Sequence, residues 1–153
     1  MRQTAKILAV MALMVVFSSG VALAAYEDSI TGTDHTDIIS GTRQAEQITG
    51  LGAGDQINGG GGADLVQGGP GSDELGDGAG RDAVYGDGGA DNLIGQGGDA
   101  GVDYFYGGGG NDTVQSRDIP AVKDVVSCGA GTDTVYADKA DAVSDDCERV
   151  HIR

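Results

Sequence analysis

From Gly59 to Gly76 the chain reads GGGGADLVQ and then GGPGSDELG, two consecutive nine-residue units of the form Gly-Gly-x-Gly-x-Asp-x-aliphatic-x. A period of this kind constrains a fold more tightly than composition does, because each unit must bury its single apolar residue against its neighbours. Extended in both directions, the frame places an apolar residue at Ile39, Ile48, Ile57, Val66, Leu75, Val84, Leu93, Phe105, Val114, Val126 and Val135, with a short-spaced Val143 last. An acidic residue stands two positions earlier each time: Asp37, Glu46, Asp55, Asp64, Asp73, Asp82, Asp91, Asp103, Asp112, Asp124, Asp133 and Asp141. The spacing is nine throughout, apart from three-residue insertions before Asp103 and Asp124 and a one-residue deletion before Asp141.

The residue types set the geometry. Three residues, x-aliphatic-x, suit a very short strand whose middle side chain points inward and whose flanks point out. The six before it, rich in Gly and Asp, suit a turn that needs positive φ at several positions. Strand, turn, strand, turn makes one coil of about 18 residues, with successive coils stacked about 4.8 Å apart. The expectation is an all-β parallel β-roll, a β-helix solenoid with two short parallel sheets around a thin aliphatic core. About six coils give a rod roughly 30 Å long at that spacing. The 29 Gly and absent Trp exclude ordinary helices and a thick conventional core.

Alternate repeats put their turns on opposite edges, so like-charged carboxylates stack one coil apart. That arrangement is strongly repulsive unless something neutralises it. A hard divalent cation between neighbouring turns does so. Calcium takes six to eight oxygens at about 2.3–2.6 Å in flexible geometry, whereas magnesium demands a smaller octahedral and largely hydrated shell. The alternative is a set of Gly-Asp turns that are merely solvated.

At this point the chain resembles the RTX (repeats-in-toxin) family of bacterial β-roll proteins, over about residues 30–136. The resemblance implies that the Asp of each nonapeptide, with backbone carbonyls of its glycines, binds several calcium ions between coils. It also implies that the roll is loose or unfolded without them. Carried over by position, the implied ligands are the carboxylates of Asp37, Asp55, Asp64, Asp73, Asp82, Asp91, Asp103, Asp112 and Asp133. The implied glycines are Gly59, Gly60 and Gly62, Gly68, Gly69 and Gly71, Gly86, Gly88 and Gly89, and Gly107, Gly108 and Gly110. The edge carrying Asp37, Asp55, Asp73, Asp91, Asp112 and Asp133 is uninterrupted, apart from a weak first copy. The other starts at Glu46, is good at Asp64 and fair at Asp82, and then meets both insertions, the second almost free of glycine and containing Pro120. Tight occupancy is expected along the first edge and partial occupancy along the second beyond Asp82.

Residues 1–24 read as a secretory signal peptide: Arg2 and Lys6, an apolar run from Ile7 to Phe17, and the small-x-small site Ala22-Leu23-Ala24. The run is shorter than the roughly 20 residues a membrane span needs. Its removal leaves seven basic against 24 acidic residues, a net charge of −17, which repels nucleic acid and suits a cation. The roll is expected over 25–136 and a C-terminal cap over 137–153, since a solenoid's last coil exposes its core. Cys128 and Cys147 are the only cysteines; in an exported chain such a pair reads as a disulfide clamping the cap. A zinc or redox pair is the alternative, without the CxxC spacing. RTX proteins often leave the cell through an uncleaved C-terminal signal, and the N-terminal one here argues against a toxin role.

No nucleophile is paired with a base, and His35 reads as turn filler, so no enzyme is expected. Outward positions stack Leu65, Ala83, Tyr104 and Val125 in one column and Tyr85 over Tyr106 in the next. This apolar-aromatic face is a candidate surface for a protein or glycan partner, although such ladders also stabilise sheets. The leading reading is a secreted, non-catalytic calcium-binding roll. The alternative is a surface-associated, adhesin-like or structural module using the Tyr face. An ice-binding role would need a regular outward Thr column, which is absent.

Overall fold

The computed structural model describes residues 28–96 and 101–153; the segment expected to be a signal peptide lies outside the described residues. Among the described residues there are strands, turns and no helix. The chain winds as a solenoid of about seven turns, laying one strand alternately in each of two seven-stranded sheets. The first sheet runs, in spatial order, through Asp28–Thr31, Glu46–Thr49, Leu65–Pro70, Ala83–Gly88, Tyr104–Gly110, Val125–Gly131 and Ala142–Val143. The second runs through Ile38–Ser40, Gln56–Asn58, Glu74–Gly76, Asn92–Ile94, Thr113–Gln115, Thr134–Ala137 and Arg149–Ile152. A third pairing, Gly61–Gly62 beside Ala79–Gly80, joins two stacked turns. Every pairing is parallel, as a coil that always winds the same way requires.

Register follows the aliphatic slot. In the first sheet Ile30, Ile48, Val66, Val84, Phe105, Val126 and Val143 lie in one inward column. In the second, Ile39, Ile57, Leu75, Leu93, Val114, Val135 and Val150 form the facing column. From Ile48 to Val135 these side chains are essentially sealed from solvent. One residue per strand builds the core, because only the middle residue of x-aliphatic-x faces inward.

The roll is longer than the six coils expected from the repeats. At the start, Asp28-x-Ile30 lies nine residues ahead of Asp37-x-Ile39, and Ile30 is buried in the core. At the end, the segment expected to cap the roll pairs as its last coil. Ala142–Val143 and Arg149–Ile152 extend the two sheets, with Glu148 repeating the acidic slot: Asp133 donates its backbone N–H to Glu148 Oε2 at 2.8 Å. This coil is the weakest, with Val150 39% and Ile152 55% exposed. The Cys128–Cys147 disulfide, 5.2 Å between Cα atoms, ties it to the coil before. Asp146 adds to the clamp by accepting hydrogen bonds from Gly129 N–H at 3.0 Å and Ser127 Oγ at 3.1 Å. The Ser144 hydroxyl and these donors hold its carboxyl at about 2.

Three residues adopt the left-handed conformation without being glycine: Leu51 at φ 85°, Ala53 at φ 73° and Asp87 at φ 70°. They occupy turn positions two and four, where other copies carry Gly. An L-residue there costs about 1–2 kcal/mol, partly offset by the greater chain entropy a Gly loses on folding. Leu51→Gly, which gives up little burial because Leu51 is 40% exposed, is expected to raise the thermal midpoint by about 2–5 °C. A midpoint that falls in calorimetry would show that the Leu51 side chain contributes more than its backbone strain costs.

Candidate metal centre

Each turn is closed by the acidic side chain of the coil that follows. Asp37 N–H donates to Asp55 Oδ1 at 2.8 Å, Asp55 N–H to Asp73 Oδ1 at 2.7 Å, and Asp73 N–H to Asp91 Oδ1 at 2.8 Å. Asp91 and Asp112 N–H continue the ladder to Asp112 Oδ1 at 2.9 Å and Asp133 Oδ1 at 2.8 Å. On the opposite edge Glu46, Asp64, Asp82 and Asp103 N–H donate to Asp64, Asp82, Asp103 and Asp124 Oδ1 at 2.7–2.9 Å. One carboxylate oxygen of each repeat is therefore used for folding.

The other oxygen separates the turns into classes. Among the described residues, Oδ2 of Asp55, Asp64, Asp73, Asp82, Asp91, Asp112 and Asp133 is buried with no hydrogen-bond partner. A buried carboxylate oxygen left bare is costly, and seven at one repeated position are a pattern rather than an accident. The first turn on each edge differs. Asp37 Oδ2 accepts the N–H and hydroxyl of Thr33 at 2.6 and 2.8 Å. Glu46 likewise accepts the N–H and hydroxyl of Thr42. In both, the Thr at turn position two takes up the carboxylate. Asp141 closes the far end of the second edge, its Oδ2 taken by Ser116 Oγ and Asp138 N–H, both at 2.8 Å.

The space each bare oxygen faces is defined by the first glycine of its turn. A methyl group on Gly86 would lie 2.5 Å from both Asp91 Oδ2 and Gly107 O. On Gly107 it would lie 2.6 Å from both Asp112 Oδ2 and Cys128 O. Gly68 and Gly50 frame the same niche with Asp73 and Asp55, and Gly59 does so with Asp64 on the other edge. The niche thus brings a carboxylate oxygen and a backbone carbonyl from the next coil close together beside each glycine, oxygen ligands of the kind calcium takes. The donor set is all oxygen, and the residues fit a hard cation.

The remaining expected glycines serve the stacking itself. Gly60, Gly69 and Gly108, at turn position two, have φ of 98°, 104° and 106°. Gly62, Gly71, Gly89 and Gly110, at position four, sit directly against a carbonyl of the previous coil, where a Cβ would overlap it. Gly88, at position three, faces open space.

Burial governs the electrostatics of these carboxyls. It raises Asp64 to about 6, Asp91 to about 7 and Asp82 to about 8, with stacked carboxylates adding to the shift and backbone N–H donors opposing it. Asp55, Asp73 and Asp112 move in the same direction for the same reason. Asp124 is pushed up to about 8 by burial and by the neighbouring Asp118. Without a counter-charge these ladders hold protons that solvated Asp residues would release.

Among known proteins, the family model of the RTX calcium-binding nonapeptide repeat (4 copies) matches over residues 40–75, 67–99 and 78–114. Residues 40–114 are RTX repeats. No curated protein and no solved structure matches the chain. The RTX frame accounts for the Asp and Gly positions of both edges, while the coils beyond it, at 28–39 and 115–152, are carried by pairing in the same register.

Several contributors to the site went unread in the sequence. Asp77 stands at turn position one, where Gly59 stands one coil earlier, and is buried. Thr33 and Thr42 close the first turns, and Glu148 closes the last. The expected aromatic column is present: Tyr85 and Tyr106 stack with ring centroids 4.6 Å apart, and the Arg81 guanidinium lies 5.4 Å from the Tyr104 ring centroid. These rings partner one another and Arg81, which fits stabilisation of the sheet.

Proposed function

We propose that this chain is an exported, non-catalytic calcium-binding protein whose RTX roll becomes fully ordered when several calcium ions enter the niches between its coils. The observation that supports this most directly is the row of buried, unpartnered Oδ2 atoms facing a carbonyl of the next coil. The holders on the first edge would be Asp55, Asp73, Asp91 and Asp112, with the carbonyls of Gly68, Gly86, Gly107 and Cys128. On the second edge Asp64 would do the same with the carbonyl of Asp77. Calcium would supply positive charge to carboxylates whose pKa values burial raises. The chain supplies the rest: N–H donors that fix one oxygen of each carboxylate, and glycines that keep the space beside the other clear. Because such sites exist only in the folded chain, binding and folding are coupled.

Far-UV circular dichroism of residues 25–153, with the disulfide formed, tests this by titration with calcium and separately with magnesium. A cooperative gain of β signal with calcium, and little with magnesium, is the expected result. A chain equally β-structured in chelator and in calcium would remove the calcium function and leave a structural solenoid.

A further inference from the structure

Asp77, Asp82 and Asp103 each place a carboxylate oxygen within 4.8 Å of the others, and all three residues are buried. This is the second edge of the roll, at the turn where position one is Asp rather than Gly. Asp77 is no stray surface acid. It is 1% exposed, and its Oδ1 accepts the N–H of Gly78 at 2.6 Å and of Gln96 at 2.7 Å. Those two donors fix the carboxyl in place on the inner side of the turn. Asp103 is fixed by accepting the Asp82 N–H at 2.7 Å. Asp82, 1% exposed, brings an Oδ2 with no hydrogen-bond partner among the described residues. Three buried carboxylates this close cannot all stay ionised without a counter-cation.

We infer that Asp77, Asp82 and Asp103 form a three-carboxylate site for a divalent cation, distinct in make-up from the one-carboxylate niches of the repeat and the first in the roll to fill. The inference rests on the calcium reading above and adds a ligand, Asp77, that lies outside the repeating Asp frame. In the ordinary niches a single side chain joins backbone carbonyls. Here Asp77 replaces the glycine that leaves that space empty, and its charge is held ready by backbone donors. More carboxylates per site raise calcium affinity. Asp77 and Asp82 belong to one turn and Asp103 to the coil stacked on it, so an ion there would tie those two coils together.

The test compares the full chain with Asp77→Asn, counting calcium ions retained during a chelator titration by native mass spectrometry while circular dichroism follows the fold. The expected result is that the wild-type chain keeps one ion to the end. Asp77→Asn should release it at ~10–100-fold higher free calcium, the scale on which metal sites respond to such losses, while the other ions leave as before. Should that variant fail to fold, Asp77→Gly, which restores the residue found at position one in Gly59, makes the same measurement with a clear niche. An unchanged last-ion affinity in a folded variant would overturn the inference and leave calcium binding by the roll intact. A wild-type chain that retains no calcium at all would overturn both.

Discussion

Alanine at Gly89 is expected to unfold the middle of the roll, whereas alanine at its neighbour Gly88 is expected to be nearly silent. The two residues are adjacent and equally small, so composition does not distinguish them. Gly89 has φ 136° and sits against Gly71 O of the previous coil, where a Cβ would overlap the carbonyl. The obstacle is backbone, itself tied into the coil stack, so it cannot rotate aside. Backbone strain alone costs about 1–3 kcal/mol, and overlap adds to it; a loss of ~4 kcal/mol or more places the change among the rare severe ones. At Gly88 a Cβ meets nothing within 4 Å. Gly86→Ala falls between the two: its backbone is not left-handed, but its Cβ would lie 2.5 Å from both Asp91 Oδ2 and the backbone Gly107 O. It should therefore disturb coil stacking and ion binding together, with a smaller stability loss than Gly89→Ala. Denaturant unfolding and calcium counting on the three variants check this. Equal stability of Gly88→Ala and Gly89→Ala would mean that position four does not set the coil spacing.

Much of this architecture is legible in the sequence because one inward residue per strand leaves a period no other fold requires. The two columns of the core and the alternation of edges follow from the spacing of Asp and aliphatic residues alone. So does the Tyr85–Tyr106 stack, since residues 21 apart across one insertion fall in register. What went unread lies where the physical role survives and the spelling changes. Asp28-x-Ile30 keeps phase with the repeat but lacks glycines before it. Glu148-x-Val150 comes only seven residues after Asp141, so a nine-residue frame passes over it. Thr33 and Thr42 sit at turn position two and supply donors to a carboxylate that later copies leave bare. A Thr there looks like a poor glycine until its hydroxyl is seen to close the turn. Asp77 is the sharpest case: by the repeat pattern it is a failed glycine, and in three dimensions it faces two other carboxylates.

In chelator, lowering the pH from about 8 to about 4 is expected to increase β structure, the reverse of ordinary acid denaturation. The cause is burial of Asp carboxyls whose pKa values rise on folding: Asp64 to about 6, Asp91 to about 7 and Asp82 to about 8, with Asp55, Asp73 and Asp112 also raised. In the unfolded chain the same groups titrate near 3.8. Between that value and about 8 the folded, metal-free roll binds more protons than the unfolded chain, so stability falls as pH rises. Below the unfolded value both states are protonated and the gain is complete. Above about 8 it is gone, and only a cation can neutralise the ladders. Asp146 has the opposite sign, but it is held at about 2, so its hydrogen bonds persist across the whole window. Protons and calcium therefore compete for the same oxygens: calcium binding should release protons below pH 8, and its apparent affinity should weaken as pH falls. Circular dichroism in chelator across this range, paired with calcium titrations in two buffers of different ionisation enthalpy, measures both effects. Loss of β signal on acidification would show that the stacked carboxyls are solvated in the metal-free chain, and the case for buried cation niches would weaken with them.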